Sequence, residues 1–224
     1  MKKCIVSFAD NNHYGRMMKR LEQSLKGNFD GDFLGFTSSQ SIGAPEHSEI
    51  PYGFKPFAIQ KAIEHGYDLI LWADSQVYAK SNVQPVFDYI QNHYSLIFDN
   101  IGFSLGDYTN DKTLNHFSIN REQSWKIKMV NAKVFGLDAN GSFDYWFQDY
   151  KNLIDLYKGE WTNKFNSESE DMRCKGHRHD QSVLSCLAHK YNLPIIKSQD
   201  TFFANESHRL IMPIAESVCL FAEG

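Results

Sequence analysis

Apolar positions in this chain gather into short runs, the clearest being Leu69-Ile70-Leu71-Trp72, bounded by Gly66 and Asp74. A continuous run of that kind reads as a central strand covered on both faces. Upstream, Pro56 takes the favoured first-turn position of a helix in which Phe57, Ile59 and Ile63 are available to pack. The same reading predicts strands at 3–9, 33–37, 68–73, 95–99, 129–136 and 194–197. Helices are expected at 12–26, 56–65, 83–92, 108–117, 143–157 and 181–191. Strands alternating with helices imply an α/β class with a mostly parallel central sheet covered by helices, in one domain over 1–224. Residues 163–175, with Glu168, Ser169, Glu170 and Asp171, are the most loop-like stretch, either a solvated connection or a lid that orders over substrate.

The strand at 68–73 ends abruptly on Asp74. A carboxylate there lies at the carboxyl end of the sheet, where open α/β folds bind ligands. The plainer alternative is that Asp74 caps the next turn. After the first strand the chain runs Ala9-Asp10-Asn11-Asn12-His13-Tyr14, with neither the GxGxxG of a dinucleotide-binding unit nor the Gly-Lys-Ser/Thr of a P-loop. Here Asp10 to Asn12 also suit a turn and helix N-cap. Gly102-Phe103-Ser104-Leu105-Gly106 formally matches the GxSxG nucleophile elbow, and Asp180 and His208 follow in the order of a serine hydrolase. Against that reading, Asp99-Asn100-Ile101 separates the apolar strand from the glycine, and no HGGG-type segment appears.

With 224 residues, 42% apolar and 22% charged, the chain has ordinary globular composition and can bury a sizeable core. A net charge of −4 gives no basic footprint for duplex nucleic acid. Lys26, Lys55, Lys61 and Arg178 are local cations able to meet a diphosphate. Residues 1–8 read as a first strand and not an exported leader, and no run approaches the roughly 20 apolar residues of a membrane span. Cys4, Cys174, Cys186 and Cys219 are scattered without CxxC, which points to reduced thiols and a cytoplasmic protein. Cys174, His177 and His179 are compactly spaced zinc-type ligands, but a fourth is lacking, and a solvated loop is the simpler reading.

Three segments, in order, carry a family resemblance. Tyr52-Gly53-Phe54-Lys55-Pro56, a helix, and then Asp68-Leu69-Ile70-Leu71-Trp72-Ala73-Asp74 resemble the donor half of glycosyltransferases with the Rossmann-related GT-A fold. Asn131-Ala132-Lys133-Val134-Phe135-Gly136 looks like the strand that follows their acceptor region, and His177-Arg178-His179-Asp180-Gln181-Ser182 resembles the His/Asp-Gln segment beside the donor sugar. Together they span residues 55 to 194. Two positions depart from the pattern. The acidic DxD triplet is Asp74-Ser75-Gln76, whose neutral amide is a poor ligand for a hard cation, and Lys133 replaces a small residue.

The resemblance implies transfer of a sugar from a nucleoside-diphosphate donor, a UDP-sugar in the first instance, to a carbohydrate or other hydroxyl acceptor. Residues 1–100 would form the donor half and 101–224 the acceptor half. Ser7, Asp10 and Tyr14 are candidates for base and ribose. Lys55, Asp74, Gln76, His179 and Gln181 are candidates for the rest of the donor, and Asn131 and Lys133 for the acceptor side. Asp74 and Asp180 are the expected catalytic carboxylates. Asp180 can cap its helix, take the acceptor's proton or stabilise charge at the anomeric carbon. Asp74, with a late histidine such as His208, would hold Mn²⁺ or Mg²⁺. Trp72, Tyr78, Trp125 and Trp146 are aromatic candidates for stacking on sugars. A non-catalytic carbohydrate- or nucleotide-binding module of the same fold remains the alternative from another class.

Overall fold

The computed structural model describes residues 1–141, 143–206 and 214–223, and within these every side chain except those of residues 143–145. The elements run β1 (Lys3–Phe8), α1 (Asn12–Leu25), β2 (Asp32–Phe36), α2 (Ser39–Ile42), α3 (Phe54–Glu64), β3 (Leu69–Ala73), β4 (Val77–Ala79), α4 (Gln84–His93) and β5 (Ser95–Ser104). They continue with α5 (Asp111–His116), α6 (Arg121–Ser124), β6 (Lys128–Asp138), α7 (Phe143–Asn152), α8 (His179–Lys190), β7 (Ile195–Ile196), β8 (Phe202–Asn205) and β9 (Val218–Ala222). The main sheet has the order β2-β1-β3-β6-β5-β7, and a smaller sheet has the order β4-β9-β8.

Strand β3 is buried along its whole length, as its unbroken apolar run predicts. One layer of core, with Val6, Ile70, Trp72 and Phe135, packs against Ala58 and Ile59 of α3, Phe147 and Tyr150 of α7, and Leu184 and Leu187 of α8. The opposite layer, with Ile5, Leu71 and Val134, packs against Leu21 of α1 and Phe87 and Ile90 of α4. Each fully buried large side chain of this kind contributes ~1.5–3 kcal/mol. Gly136 lets α4 approach the sheet, because a Cβ there would lie 2.4 Å from Ile90 Cδ1. Asn11 caps α1 by accepting from the His13 and Tyr14 backbone N–H groups.

The sheet is mixed. Strands β1, β2 and β3 are mutually parallel, and β5 is parallel to β7, but β6 runs antiparallel to both β3 and β5. The expected alternation of strand and covering helix fails between β5 and β6. Residues 105–127 there form only short helical turns, α5 and α6 among them, and an antiparallel return needs no full crossover helix. The helix expected at 108–117 shortens to α5, and that at 143–157 ends at Asn152, before a separate 3₁₀ turn at Ile154–Tyr157. The smaller sheet has no counterpart in the sequence reading. Among the described residues no helix is long and apolar enough to cross a membrane. All four cysteines are unpaired and buried.

The 158–178 segment is pinned from within. His177 is fully buried; its Nε2 lies 2.9 Å from the Leu156 carbonyl, and its Nδ1 accepts from the Asn110 backbone N–H at 3.3 Å. Both ring nitrogens therefore face the backbone, which excludes His177 as a zinc ligand. Cys174 Sγ contacts the Thr109 and Gly176 carbonyls. Glu168 accepts from Asn110 Nδ2 and from the Glu160 backbone N–H, so the acidic stretch is knitted to the N-terminus of α5.

Burial pushes the His177 imidazole down to about 3. Its folded pKa lies below the unfolded one, so the stability it contributes is present above about 6.5 and is lost as pH falls towards 3. In this window each proton taken up preferentially by the unfolded chain steepens the loss by ~1.4 kcal/mol per pH unit. Thermal unfolding across pH 4–7 is expected to flatten in His177→Gln, whose amide can supply a donor and an acceptor without titrating. An unchanged slope would show that His177 does not govern acid stability.

Candidate functional site

The site grows from the end of β3. Asp74 is fixed by its own backbone, its N–H donating to the Lys133 carbonyl at 2.8 Å and its carbonyl accepting from Val77 N–H at 2.8 Å. Trp72, two residues back in the strand, donates Nε1–H to Asp74 Oδ1 at 2.8 Å. Helix α3 brings Lys55 beneath it, with only 2% of that side chain exposed. The Lys55 ammonium meets Asp74 Oδ1 at 3.0 Å, Asp180 Oδ2 at 2.9 Å and the Ala132 carbonyl at 2.8 Å. An ammonium has three donors, and here three acceptors match them.

Asp180 enters from the first turn of α8 and is buried. Tyr150 of α7 donates to the same Oδ2 at 3.3 Å, and Tyr157 in turn donates to the Tyr150 carbonyl at 2.7 Å. Two carboxylates share one buried ammonium, so the cluster carries excess negative charge. Burial drives the Asp180 carboxyl up to about 6, with Lys55 opposing and Asp74 reinforcing the rise. For Lys55, burial acts downwards, but the two carboxylates prevail and hold it above the usual lysine range. The backbone around the cluster is strained as well. Tyr52 and His179 have φ of 60° and 51°, a left-handed region that non-glycine residues seldom occupy, and their rings lie 5.7 Å apart.

Two clefts meet over these groups. One, of about 350 Å³, is lined among others by Lys55, Asn131, Lys133, Trp161, Asp180 and Gln181. The second, of about 260 Å³, is lined among others by Asp10, Asn11, Tyr14, His47, Phe54 and Trp72. Tyr52, Asp74 and Gln76 border both. The structure thus gathers Lys55, Asp74, Gln76, Asn131, Lys133, Asp180 and Gln181 around the larger cleft, with Asp10 and Tyr14 in its neighbour. Gln181 spends its amide N–H on the Val130 carbonyl at 2.8 Å. His179 stands behind this surface, Nδ1 against the Tyr157 carbonyl at 2.9 Å. Ser7 is fully buried in β1 and lines neither cleft. His208 lies outside the described residues.

Other expectations move. Ser104 is not on an elbow: it ends β5 and donates its hydroxyl to Asp107 Oδ2 at 2.8 Å, while Asp180 is held by Lys55. With Ser104 bonded to Asp107 and Asp180 to Lys55, the described members of the Ser104, Asp180, His208 order are not arranged as a hydrolase triad. Of the four aromatics, Trp72 borders the smaller cleft, but Trp146 is in the core, Tyr78 stacks on Phe221, and Trp125 lies against Gly106. The larger cleft takes Trp161 instead, which the sequence reading missed. Arg178 is sandwiched there, its guanidinium 3.7 Å from the Trp161 ring centre and 3.8 Å from that of Tyr108. Of the other local cations, Lys61 pairs with Glu64 and Lys26 is exposed; neither lines a cleft. The signal for Trp161 was weak, since an aromatic in a polar loop belongs to no periodic pattern.

The described residues do not suit a hard divalent cation, which seeks several oxygen ligands. Asp74 Oδ1 already accepts from Lys55 and Trp72, position 76 offers a neutral amide, and the Lys133 side chain lines the same cleft. Among the described residues no group of three His, Cys, Asp or Glu side chains converges for a metal.

No protein-family model matches the chain, and no curated protein matches it. Among solved structures it is similar to a glycosyltransferase involved in the glycosylation of the major capsid of PBCV-1. The likeness covers 99% of this chain and 92% of the other, at 14% identity and a TM-score of 0.53. At that identity the kinship is one of fold: an α/β domain with mixed sheets, like that of a glycosyltransferase.

Removing Lys55 would leave two carboxylates facing one another without their cation. Lys55→Met is expected to destabilise the fold by ~3–5 kcal/mol in chemical denaturation at neutral pH, the loss typical when one partner of a buried ion pair is deleted. The loss should shrink as pH falls, because without Lys55 to hold it down Asp180 takes up a proton more readily and sheds its unpaired charge. A small, pH-independent loss would show that the lysine is not the electrostatic centre of the site.

Proposed function

We propose that the protein transfers a sugar from a nucleoside-diphosphate sugar, a UDP-sugar in the first instance, to a carbohydrate or other hydroxyl acceptor. The observation that carries this reading is the junction of two clefts at Asp74, one walled by several aromatic side chains, the other lined mostly by amide and charged side chains and reaching Asp180. A donor of this kind has the matching asymmetry, a flat base at one end and a polyhydroxyl ring at the other. Tyr14, His47 and Phe54 offer the base its aromatic walls, and Asp10 offers an acceptor for its N–H or ribose hydroxyl groups. Asn131, Gln181 and Trp161 border the space for donor sugar and acceptor. The fold likeness supports this assignment without proving activity, because one fold hosts many chemistries.

In the reaction, the acceptor oxygen bonds to the anomeric carbon while the bond from that carbon to the diphosphate oxygen breaks. The bonding pair leaves with the diphosphate, and the acceptor's proton passes to the Asp180 carboxylate. Lys55 and Tyr150 hold Asp180 in one orientation through Oδ2, which fixes the base relative to the cleft. Asp74, tied through Oδ1 to Lys55 and Trp72, has no described partner at Oδ2 and offers that oxygen to donor hydroxyls. The four unpaired cysteines accord with action in the reducing cytoplasm.

Release of nucleoside diphosphate from UDP- and GDP-sugars in the presence of oligosaccharide acceptors tests the assignment. Wild-type kcat/KM should rise with pH through about 6 as Asp180 loses its proton. Asp180→Asn should cost ~10²–10⁴-fold in kcat in a chain that still folds, because Lys55 keeps Asp74 and the Ala132 carbonyl as acceptors. Full activity in Asp180→Asn would remove it from the chemistry. Donor binding without turnover under any acceptor would favour a non-catalytic module.

A further inference from the structure

We infer that Lys133, supported by Arg178, takes the place of a divalent cation at the donor diphosphate, so that the site works without metal. The inference rests on the donor reading above and concerns how that site neutralises charge. It starts from the mismatch between the cleft's donor set and a hard cation. A departing diphosphate needs positive charge close to its oxygens as the bond breaks. Of the ligands that would hold a metal, Asp74 has Oδ1 committed to Lys55 and Trp72, which leaves a single carboxylate oxygen, and position 76 offers only an amide.

Lys55 cannot supply the charge, because its ammonium is enclosed by Asp74, Asp180 and the Ala132 carbonyl. Lys133 differs. The Asp74 N–H bond to its carbonyl places it directly across from the end of β3. Its ammonium is held at 3.3 Å by two neutral oxygens, Asn205 Oδ1 and the Glu223 carbonyl. No described carboxylate pairs with it. Among the described residues this half-buried lysine hydrogen-bonds only neutral acceptors and lines the cleft, so its charge is available to an anion there; burial depresses its pKa, with Asp74 opposing. Arg178 stands on the same cleft, its guanidinium fixed by the Tyr108 and Trp161 rings and by one bond to the Trp161 carbonyl at 2.6 Å. Lys133 is therefore reassigned from the acceptor side to the donor's phosphates.

Isothermal titration of the full chain with UDP, GDP, UMP and GMP, in EDTA and in manganese, tests the assignment. Diphosphate binding is expected to persist in EDTA, to weaken ~10-fold or more in Lys133→Met, and to be largely kept in Lys133→Arg. The monophosphates should lose less. Lys133→Gln, whose amide can still bond Asn205, serves if the methionine variant does not fold, and each variant's thermal unfolding is recorded alongside. Diphosphate binding that needs manganese and Asp74 but ignores Lys133 would overturn the inference and leave the donor reading standing. Failure of both diphosphates to bind, with and without manganese, would overturn the two together.

Discussion

The buried ammonium of Lys55 ties together three segments that are far apart in the chain. Helix α3 supplies the lysine, the end of β3 supplies Asp74, and the first turn of α8 supplies Asp180. A charge taken so far out of water is tolerated only when every donor is matched, and the Ala132 carbonyl of β6 completes the set. Core packing of Leu184 and Leu187 seats α8 on the sheet, and the shared ammonium fixes Asp180 relative to Asp74. Around it the aromatic shell of Tyr52 and Trp72 keeps water away and presents ring faces to the cation.

The reversed strand β6 does the next part of the work. Because β6 lies between β3 and β5 and runs against both, its Asn131, Ala132 and Lys133 are carried past the carboxyl end of β3 and into the cleft. A parallel strand in that place would bring its opposite end to Asp74. Between Ile97 and Phe98 of β5 the pairing jumps from Phe135 to Asn131, so the extra residues, Ala132 and Lys133 among them, bulge from β6 at this edge of the site. The small β4-β9-β8 sheet closes the same edge. Glu223, just after β9, donates its N–H to the Gln76 carbonyl and receives Lys133, so late residues brace the cleft that early residues open.

Several of these features were legible in sequence. The apolar run of β3, the proline opening α3 and the segment leading into α8 each gave an element close to its observed bounds, because each signal is local. Asp74, Lys55, Asp180, Asn131 and Gln181 were singled out, and all of them border one cleft. Ser7 was not distinguishable from a cleft residue by its neighbours, since burial in β1 depends on β2 and β3 lying on either side of it. Trp161 was hidden for the converse reason, as a loop residue acquires meaning only from what it stacks upon.

By itself the sequence determined the α/β class, the longer helices and most strands, and the residue types gathered at the end of β3. These follow from hydrophobic period, capping and turn chemistry, which act over a few neighbouring positions. Only the tertiary structure decided that β6 is reversed, that Lys55 is enclosed between two carboxylates, and that Lys133 lines the cleft bonded to Asn205 and the Glu223 carbonyl. Those outcomes depend on strand direction and on burial of charge, and both arise from contacts between segments separated by tens of residues.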